Sequence, residues 1–364
     1  MMEGKQRVVV AMSGGVDSSM AAALLNEQGY EVIGVSMKLL KSEPLDGRPI
    51  SCCSVADISD ARRVAHILGI PFYVKNFQEE FEAVVIQNFI SEYRRGRTPN
   101  PCILCNQKLK FQLLLSWAEN LGAYFLATGH YATVVTEEMG RCYYLRRGKD
   151  SNKDQSYFLF SLSQKELGRL LFPLGVYRKA EVRQMAQERG LCVAEKPDSQ
   201  EICFVQGKDY RPFLRQRLTA DEISPGPILT SQGEFLGWHG GIPFYTIGQR
   251  KGLGLSGQRP WYVVALDAGR NAVIVGEDSA LYKNGFLVED IIWSSISSPA
   301  RELVAEVQVR YRHRPKTATI QPLSANSARV TFYLPQRAIT PGQAAVFYQG
   351  DILLGGGWIA NVED

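Results

Sequence analysis

The stretch Arg7–Ser19, RVVVAMSGGVDSS, joins an apolar run to a helical pattern through two glycines. Val8, Val9 and Val10 follow one another without alternation, as expected of a strand buried on both faces. Beyond Asp17, SSMAAALLNEQGY places Met20, Leu24 and Leu25 on one helical face, with Gly29 as the expected stop. A strand, a glycine turn and a helix in that order form a phosphate-binding unit. Gly14 and Gly15 let the backbone turn tightly and approach a ligand. The helix start offers unpaired N–H groups and a positive dipole end. Ser13, Ser18 and Ser19 are expected to add hydroxyl donors. Asp17 is placed to cap the helix or to hold Mg2+ beside the phosphates. The loop carries neither G-x-x-x-x-G-K-[ST] nor G-x-G-x-x-G, which argues against a P-loop NTPase and a dinucleotide fold.

Outward from this loop, short apolar runs alternate with helical patterns over about the first 200 residues. EVIGVSM is a second strand, and ADISDARRVAHILGI a second helix ended by Gly69. FYVKNF, helices around Phe81–Tyr93 and Leu109–Asn120, and YFLATGH continue the rhythm. The expected fold class is therefore α/β, an open, doubly wound parallel sheet with helices on both faces. Near Gln206 the pattern changes to glycine, proline and β-formers. GPILTSQGEFLGWHGG and RPWYVVALDAGRNAVIVG read as hairpins turning at Gln232-Gly233 and Gly269-Arg270-Asn271. From about Lys283 short strands recur (LVAEVQVRYR, TATIQPL, ARVTFYL, AAVFYQG, ILLGGGWIA), the pattern of a small antiparallel barrel. The expected domains are 1–206, 207–282 and 283–364.

A chain of 364 residues suits two or three domains, and 45% hydrophobic with 21% charged residues is a globular balance. No apolar run approaches the roughly 18 residues that span a bilayer. A signal peptide is not expected at its start, since Asp17 closely follows the short run Val8–Met12. The expectation is a soluble, cytoplasmic protein. The net charge of +4, from 41 basic and 37 acidic residues, permits a polyanionic partner without demanding one.

Seven cysteines in such a chain point to chemistry or packing rather than structural disulfides. Cys52 and Cys53 are adjacent, and a lid or plain packing explains them better than a metal. Cys142 and Cys192 read as core. Cys102 and Cys105 form a C-x-x-C in RTPNPCILCNQKLKF, one pair too few for a closed zinc site. Arg97, Lys108 and Lys110 surround that loop, and a helix starting at about Cys105 would help lower a thiol pKa. Cys203 lies in KPDSQEICFV, near Asp198. His66 and His239 read as structural, whereas His130, at a strand end in ATGHYA, faces a nucleotide site.

SGGVDS after a strand resembles the pyrophosphate loop of the N-type ATP pyrophosphatases, with the fold of the adenine nucleotide alpha-hydrolases. The whole chain resembles the tRNA-specific 2-thiouridylases. The matching blocks are Ala11–Ser18, TPNPxxxCN at Thr98–Asn106, ATGHYA at Ala127–Ala132 and KDQSYFL at Lys153–Leu159. KPDSxxICF at Lys196–Phe204, YTIGQRKGLG at Tyr245–Gly254, VRYRH at Val309–His313 and TPGQAAVFY at Thr340–Tyr348 follow in the same order. The resemblance implies ATP-dependent replacement of the 2-oxygen of the wobble uridine (position 34) by sulfur.

It also implies roles for single residues. Ala11, Met12, Ser13, Gly14, Gly15, Val16, Asp17, Ser18, Met37 and Gly129 would contact ATP. Asn100, Pro101, Cys102, His130, Lys153, Asp154, Gln155, Arg310, Tyr311 and Gln343 would contact tRNA through its anticodon stem-loop. Cys203 would carry a persulfide supplied by a sulfur-relay protein or cysteine desulfurase. Cys105 would resolve it, leaving a transient Cys105–Cys203 disulfide. A monomer is expected. The chain departs from the commonest form of the family at Cys102, where aspartate is usual. Cys102, Cys105 and Cys203 are thus an alternative ligand set for a 4Fe–4S cluster carrying sulfide. Two readings from other classes are a small-molecule ATP pyrophosphatase that amidates its substrate and a non-catalytic RNA-binding protein.

Overall fold

The structure is a computed structural model that describes residues 5–40, 54–137, 142–198, 202–205, 207, 209–255 and 259–363. Cys52, Cys53 and Gln206 lie outside the described residues. By contacts the chain divides into two compact units. The first comprises Met1–Val85, Cys102–Lys208 and Asp351–Leu354, and the second Ile86–Pro101, Asp209–Gly350 and Gly355–Asp364.

The first unit holds a five-stranded parallel sheet. β1 (Arg7–Ala11) lies at its centre, β2 (Glu31–Lys38) and β3 (Phe72–Asn76) to one side, and β4 (Phe125–Ala127) and the short strand Leu170–Leu171 to the other. Val10 pairs with Gly34 on β2 and with Ala127 on β4. Val8, Val9 and Val10 are wholly buried, so the unbroken valine run is explained by cover on both faces.

The helix α1 (Val16–Glu27) follows the loop. The one-sided apolar face read from the sequence understates its burial: every residue from Val16 to Leu25 except Asp17 is buried. Besides the sheet, α1 meets Val182 and Ala186 of the helix Lys179–Glu188. Ala21, Ala22 and Ala23 permit the close approach, while Met20 and Leu25 each contribute roughly 1.5–3 kcal/mol by burial. Ser19 is fully buried too, and its hydroxyl has no hydrogen-bond partner among the described residues. It was expected to face a phosphate, but its position on a doubly covered helix removes it. The helix ends at Gly29 (φ 88°), where the Tyr30 N–H donates to Leu25 O (3.2 Å). α2 (Val55–Ile67) is opened by Ser54 and Asp57, each side chain bonding the other's backbone N–H.

Two sequence expectations are corrected. The helix expected to begin at about Cys105 begins one turn earlier, at Pro101. An α-helical turn, Pro101–Leu104, runs into nine residues of π-helix, Cys105–Leu113, and then into α-helix Leu114–Asn120. Proline fits the first helical position because its missing N–H has no partner there anyway. Cys142 and Cys192 are exposed, not core. Leu191 and Val193 turn inward and leave Cys192 outside. Cys142 precedes the strand Tyr143–Arg147, which pairs with Ala132–Thr136 and, at Leu145 and Arg146, with Leu353 and Ile352.

In the second unit both expected hairpins form, Gly226–Thr230 with Phe235–His239 and Tyr262–Asp267 with Ala272–Gly276. Their turns use Gly233 (φ 87°) and Asn271 (φ 48°). His239 is structural, as read: its ring accepts from the Gly241 N–H (3.0 Å) and contacts Asn271 O (2.8 Å). Six strands from Tyr282–Ile292 to Ile352–Glu363 then form a barrel closed by pairing of its first and last strands.

Candidate active site

In the sheet order β3-β2-β1-β4, the chain moves outward from β1 in one direction and resumes at β4 on the other side. The crevice at the carboxyl ends of β1 and β4 is therefore a topological switch point, the position where open α/β sheets bind ligands. The nucleotide residues implied by the resemblance lie at this edge: Ala11–Ser18 after β1, Met37 near the end of β2, and Gly129 two residues after β4.

The loop is tightly specified. Gly14 has φ 75°, and a Cβ there would lie 2.1 Å from the Asp57 carbonyl oxygen in α2. A Cβ on Gly129 would lie 2.7 Å from the Ser18 nitrogen. Both positions bring backbone against backbone, and only glycine permits that. Ser18 Oγ accepts from the Ser13 N–H (3.0 Å) and donates to Gly15 O (3.3 Å), so this hydroxyl shapes the loop itself. Ser13 stays exposed at the rim.

A charged network that sequence reasoning missed surrounds the loop. Lys179 is nearly buried, and its ammonium donates to both oxygens of Asp17 (2.8 and 2.7 Å) and to Asp198 Oδ1 (2.8 Å). The buried Tyr131 hydroxyl donates to Asp17 Oδ1 (2.7 Å), and burial beside that carboxylate pushes the phenol pKa well above its usual value. Asp198 also takes Lys153 (2.7 Å) and Arg183 (2.8 Å). Burial pushes the Asp198 carboxyl up, but hydrogen bonds from Lys153 and Lys179 outweigh it and hold it at about 2. Lys196, two residues before Asp198, donates to Gly14 O (3.0 Å), Asp57 (2.7 Å) and Asp60 (2.6 Å). Pro197 between them favours extended backbone at Lys196. KPD thus holds the phosphate loop from two directions. Its Lys196 and Asp198 were visible in the quoted motif, but only beside Cys203. Lys179 gave no local signal, since it lies at a helix start inside an unremarkable YRKAEVR.

The remaining site residues have definite places. His130 is half-buried between Phe111 and Phe172; burial lowers its pKa well below normal, and Lys110 adds to this. Asp154 accepts from the Gly148 and Ser156 N–H groups, and Gln155 exchanges two 3.0 Å bonds with the Tyr131 backbone. Both hold the turn that presents Lys153. Cys105 is buried at the start of the π-helix, Cys102 is exposed on the preceding turn, and Cys203 is half-exposed beside Phe204, whose ring meets Phe81 at 5.8 Å. Asn106 ties the π-helix to Phe158 O (3.2 Å), and Lys110 donates to its side chain (2.8 Å). Among the described residues no three His, Cys, Asp or Glu side chains are grouped so as to hold a metal ion. The thiols as placed therefore do not form the three-ligand group that a 4Fe–4S cluster would need.

In the second unit, Gln343 Nε2 donates to Thr98 O (2.8 Å) and Pro99 O (3.3 Å), and the Thr98 N–H donates to Pro341 O (2.9 Å). The turn at Thr340–Gln343 thereby clasps the strap that ends at Asn100 and Pro101. Arg310 donates to Arg337 O (3.1 Å), and the guanidinium of Arg312 lies over the Tyr311 ring.

Known families match this architecture in order. The profile described as tRNA methyl transferase HUP domain matches residues 6–207, the tRNA methyl transferase PRC-barrel domain 211–277, and the aminomethyltransferase beta-barrel domain 264–359. A protein of Geobacter metallireducens named tRNA-specific 2-thiouridylase MnmA is 52% identical over 361 residues, 98% of this chain and 97% of its own. The chain belongs to the tRNA-specific 2-thiouridylase family. Relatives of the same name in Moorella thermoacetica (52% identity, 97% of this chain, 99% of theirs) and Carboxydothermus hydrogenoformans (50%, 98% and 98%) extend the match to nearly full length on both sides. Family membership covers the loop, both thiol segments and the barrel together. No helix among the described residues is long and apolar enough to cross a membrane.

Proposed function

We propose that the protein is a tRNA-uridine 2-sulfurtransferase that spends ATP to replace the 2-oxygen of the wobble uridine with sulfur. The observation that carries this reading is the glycine-built loop Ser13–Ser18, set against Gly129 in the β1/β4 crevice. A uridine 2-carbonyl resists substitution because oxide is a poor leaving group. Transfer of AMP to that oxygen, with release of pyrophosphate, makes it a phosphate ester that can depart. The start of α1 and the loop N–H groups hold the phosphates. Mg2+, drawn by Asp17, would neutralise phosphate charge, provided Lys179 yields part of that carboxylate.

The terminal sulfur of a Cys203 persulfide attacks the ring carbon and displaces AMP. The Cys105 thiolate then attacks Cys203 Sγ and breaks the sulfur–sulfur bond. The product sulfur stays on the ring and a Cys105–Cys203 disulfide remains, to be reduced by an external dithiol. The sulfur comes from a relay protein or a cysteine desulfurase. Lys153, His130, Arg310, Tyr311 and Gln343 serve tRNA, whose target base must leave the anticodon stack. The three-domain division near residues 206 and 283, the monomeric state and the cytoplasmic location belong to the same proposal.

The test supplies ATP, Mg2+, unmodified tRNA and a sulfur donor, and reads nucleosides by mass spectrometry alongside AMP. We expect 2-thiouridine at position 34 only. Cys203→Ser and Cys105→Ser should lower thiolation by about 10³-fold or more, and Asp17→Ala should also abolish AMP formation. Full thiolation by both cysteine variants would overturn the assignment.

A further inference from the structure

Lys153, Asp198, Lys179 and Asp17 form an unbroken chain of alternating charge. Lys153, 37% exposed, reaches Asp198 Oδ2 at 2.7 Å. Asp198 Oδ1 meets Lys179 and Arg183, each at 2.8 Å. The three N–H donors of Lys179 are all spent, two on Asp17 and one on Asp198. One end of the chain is open to solvent, and the other lies in the first turn of the phosphate-loop helix.

The flanking atoms are anchored. The Lys179 backbone N–H is fixed to Asp150 Oδ2 (3.0 Å). Arg183 is pinned by Ala194 O (2.7 Å) and Lys196 O (2.9 Å). The ammonium of Lys179 is therefore the element free to change partners, divided between two carboxylates. Asp17 is less buried than Lys179, at 32% exposure against 10%.

We infer that Asp198 is a positioning residue that couples RNA engagement at Lys153 to nucleotide binding at Asp17. The inference rests on the functional reading above and adds a link between its two substrates. A phosphate that takes Lys153 removes one of the three cations on Asp198. The carboxylate then draws Lys179 more strongly, and Lys179 loosens its hold on Asp17. The freed Asp17 oxygens become available to a nucleotide-bound cation. RNA therefore tightens nucleotide binding, and by linkage nucleotide tightens RNA binding by the same factor. Adenylation is thereby favoured only on a chain that already holds its RNA. Arg183 stays in place throughout because its backbone acceptors do not move.

The experiment measures the Kd of α,β-methylene-ATP with Mg2+ by calorimetry, alone and with saturating unmodified anticodon stem-loop RNA. Wild type should bind the analogue about tenfold more tightly with RNA present, in the usual range of coupling between sites. Asp198→Asn should bind each ligand singly, with the coupling factor reduced to about one. Lys153→Gln, at a partly exposed position that spares the fold, should weaken RNA binding, tighten the analogue alone toward its RNA-bound Kd because it takes the same cation off Asp198, and lose the coupling as well. A purely structural role would alter single affinities and leave their ratio intact. Wild-type coupling retained in either variant overturns the inference, as does wild type that binds both ligands singly with no coupling. Wild type that binds neither ligand overturns the functional reading and the coupling with it.

Discussion

At Gly14 the backbone is held by contacts that leave no room for one additional carbon, whereas at Cys105 the helix itself departs from its preferred hydrogen-bond pattern. The phosphate loop lies between the ends of two central strands, and Lys196, Asp57, Ser18 and Gly129 satisfy or crowd its polar atoms. The thiol segment runs through nine residues of π-helix, a rare i→i+5 geometry that recurs at functional positions. Among the described contacts, Asn106 bonds Phe158 O, Lys110 bonds Asn106, and Phe111 packs on His130 and Phe172. The loop at Gly14 is fixed by backbone contact that only glycine permits. The segment from Cys105 is fixed instead by buried side chains, Leu109 and Phe111 among them.

The largest way to break this contrast is Gly14→Ala. The new Cβ would lie 2.1 Å from Asp57 O at φ 75°. The left-handed backbone costs an alanine about 1–2 kcal/mol, and displacing the start of α2 adds to that. Together they should weaken α,β-methylene-ATP binding by about 10²-fold in calorimetry. Gly15→Ala is the control, because its Cβ meets only Ser13 Oγ at 3.6 Å and its φ is −95°. Equal effects from the two substitutions would show that the loop is not specified by that contact.

Much of the nucleotide end was legible in the sequence because its signals are local. Val8–Val10, Gly14, Gly15 and the Met20/Leu24/Leu25 face occupy one short window, and strand and helix periods separate cleanly there. The hairpin turns at Gly233 and Asn271 were legible for the same reason. What escaped is long-range. Lys179 reaches Asp17 across 162 positions and Lys196 reaches Gly14 across 182. No periodicity encodes such pairs. Ser19 was misjudged because its helix is covered on two sides, which a single apolar stripe does not reveal. Cys142 and Cys192 were misjudged because cysteine's general preference for the core says nothing about the facing of one residue in a turn. The early start at Pro101 was hidden because two prolines and an asparagine read equally well as loop.

A smaller effect probes the charged support of the loop. Asp198 has a folded pKa of about 2, below the roughly 3.9 of an unfolded aspartate. Its stabilisation is therefore present above about pH 4 and is lost as pH falls through about 2. Partial exposure screens the linkage to about 1–2 kcal/mol. In urea melts, Asp198→Asn should be less stable than wild type by about that amount at pH 6, with the gap closing toward pH 2. A gap that does not change with pH would show that the three cations do not stabilise the carboxylate.

The smallest effect belongs to Cys102→Ser, and it sharpens the comparison from the sulfur side. Cys102 is exposed on the helical turn Pro101–Leu104, while Cys105, three residues on, is buried where the π-helix starts. In the persulfide route two thiols suffice, one to carry and one to resolve, so Cys102 has no covalent duty. Serine keeps its size and its hydrogen-bonding capacity on an open surface. Thiolation should stay within about threefold of wild type, the scale of a conservative substitution at an exposed position. A cluster held by three cysteines would behave differently, because losing any one ligand would destabilise the whole cluster, including the cysteine-free fourth iron that binds sulfide. The deciding measurement pairs the thiolation rate of Cys102→Ser with the iron content of anaerobically purified wild type. A loss as deep as that of Cys203→Ser, with iron present in stoichiometric amount, would transfer the sulfur chemistry from the persulfide to a cluster. The π-helical segment would then be a ligand cradle and not the seat of a resolving thiol.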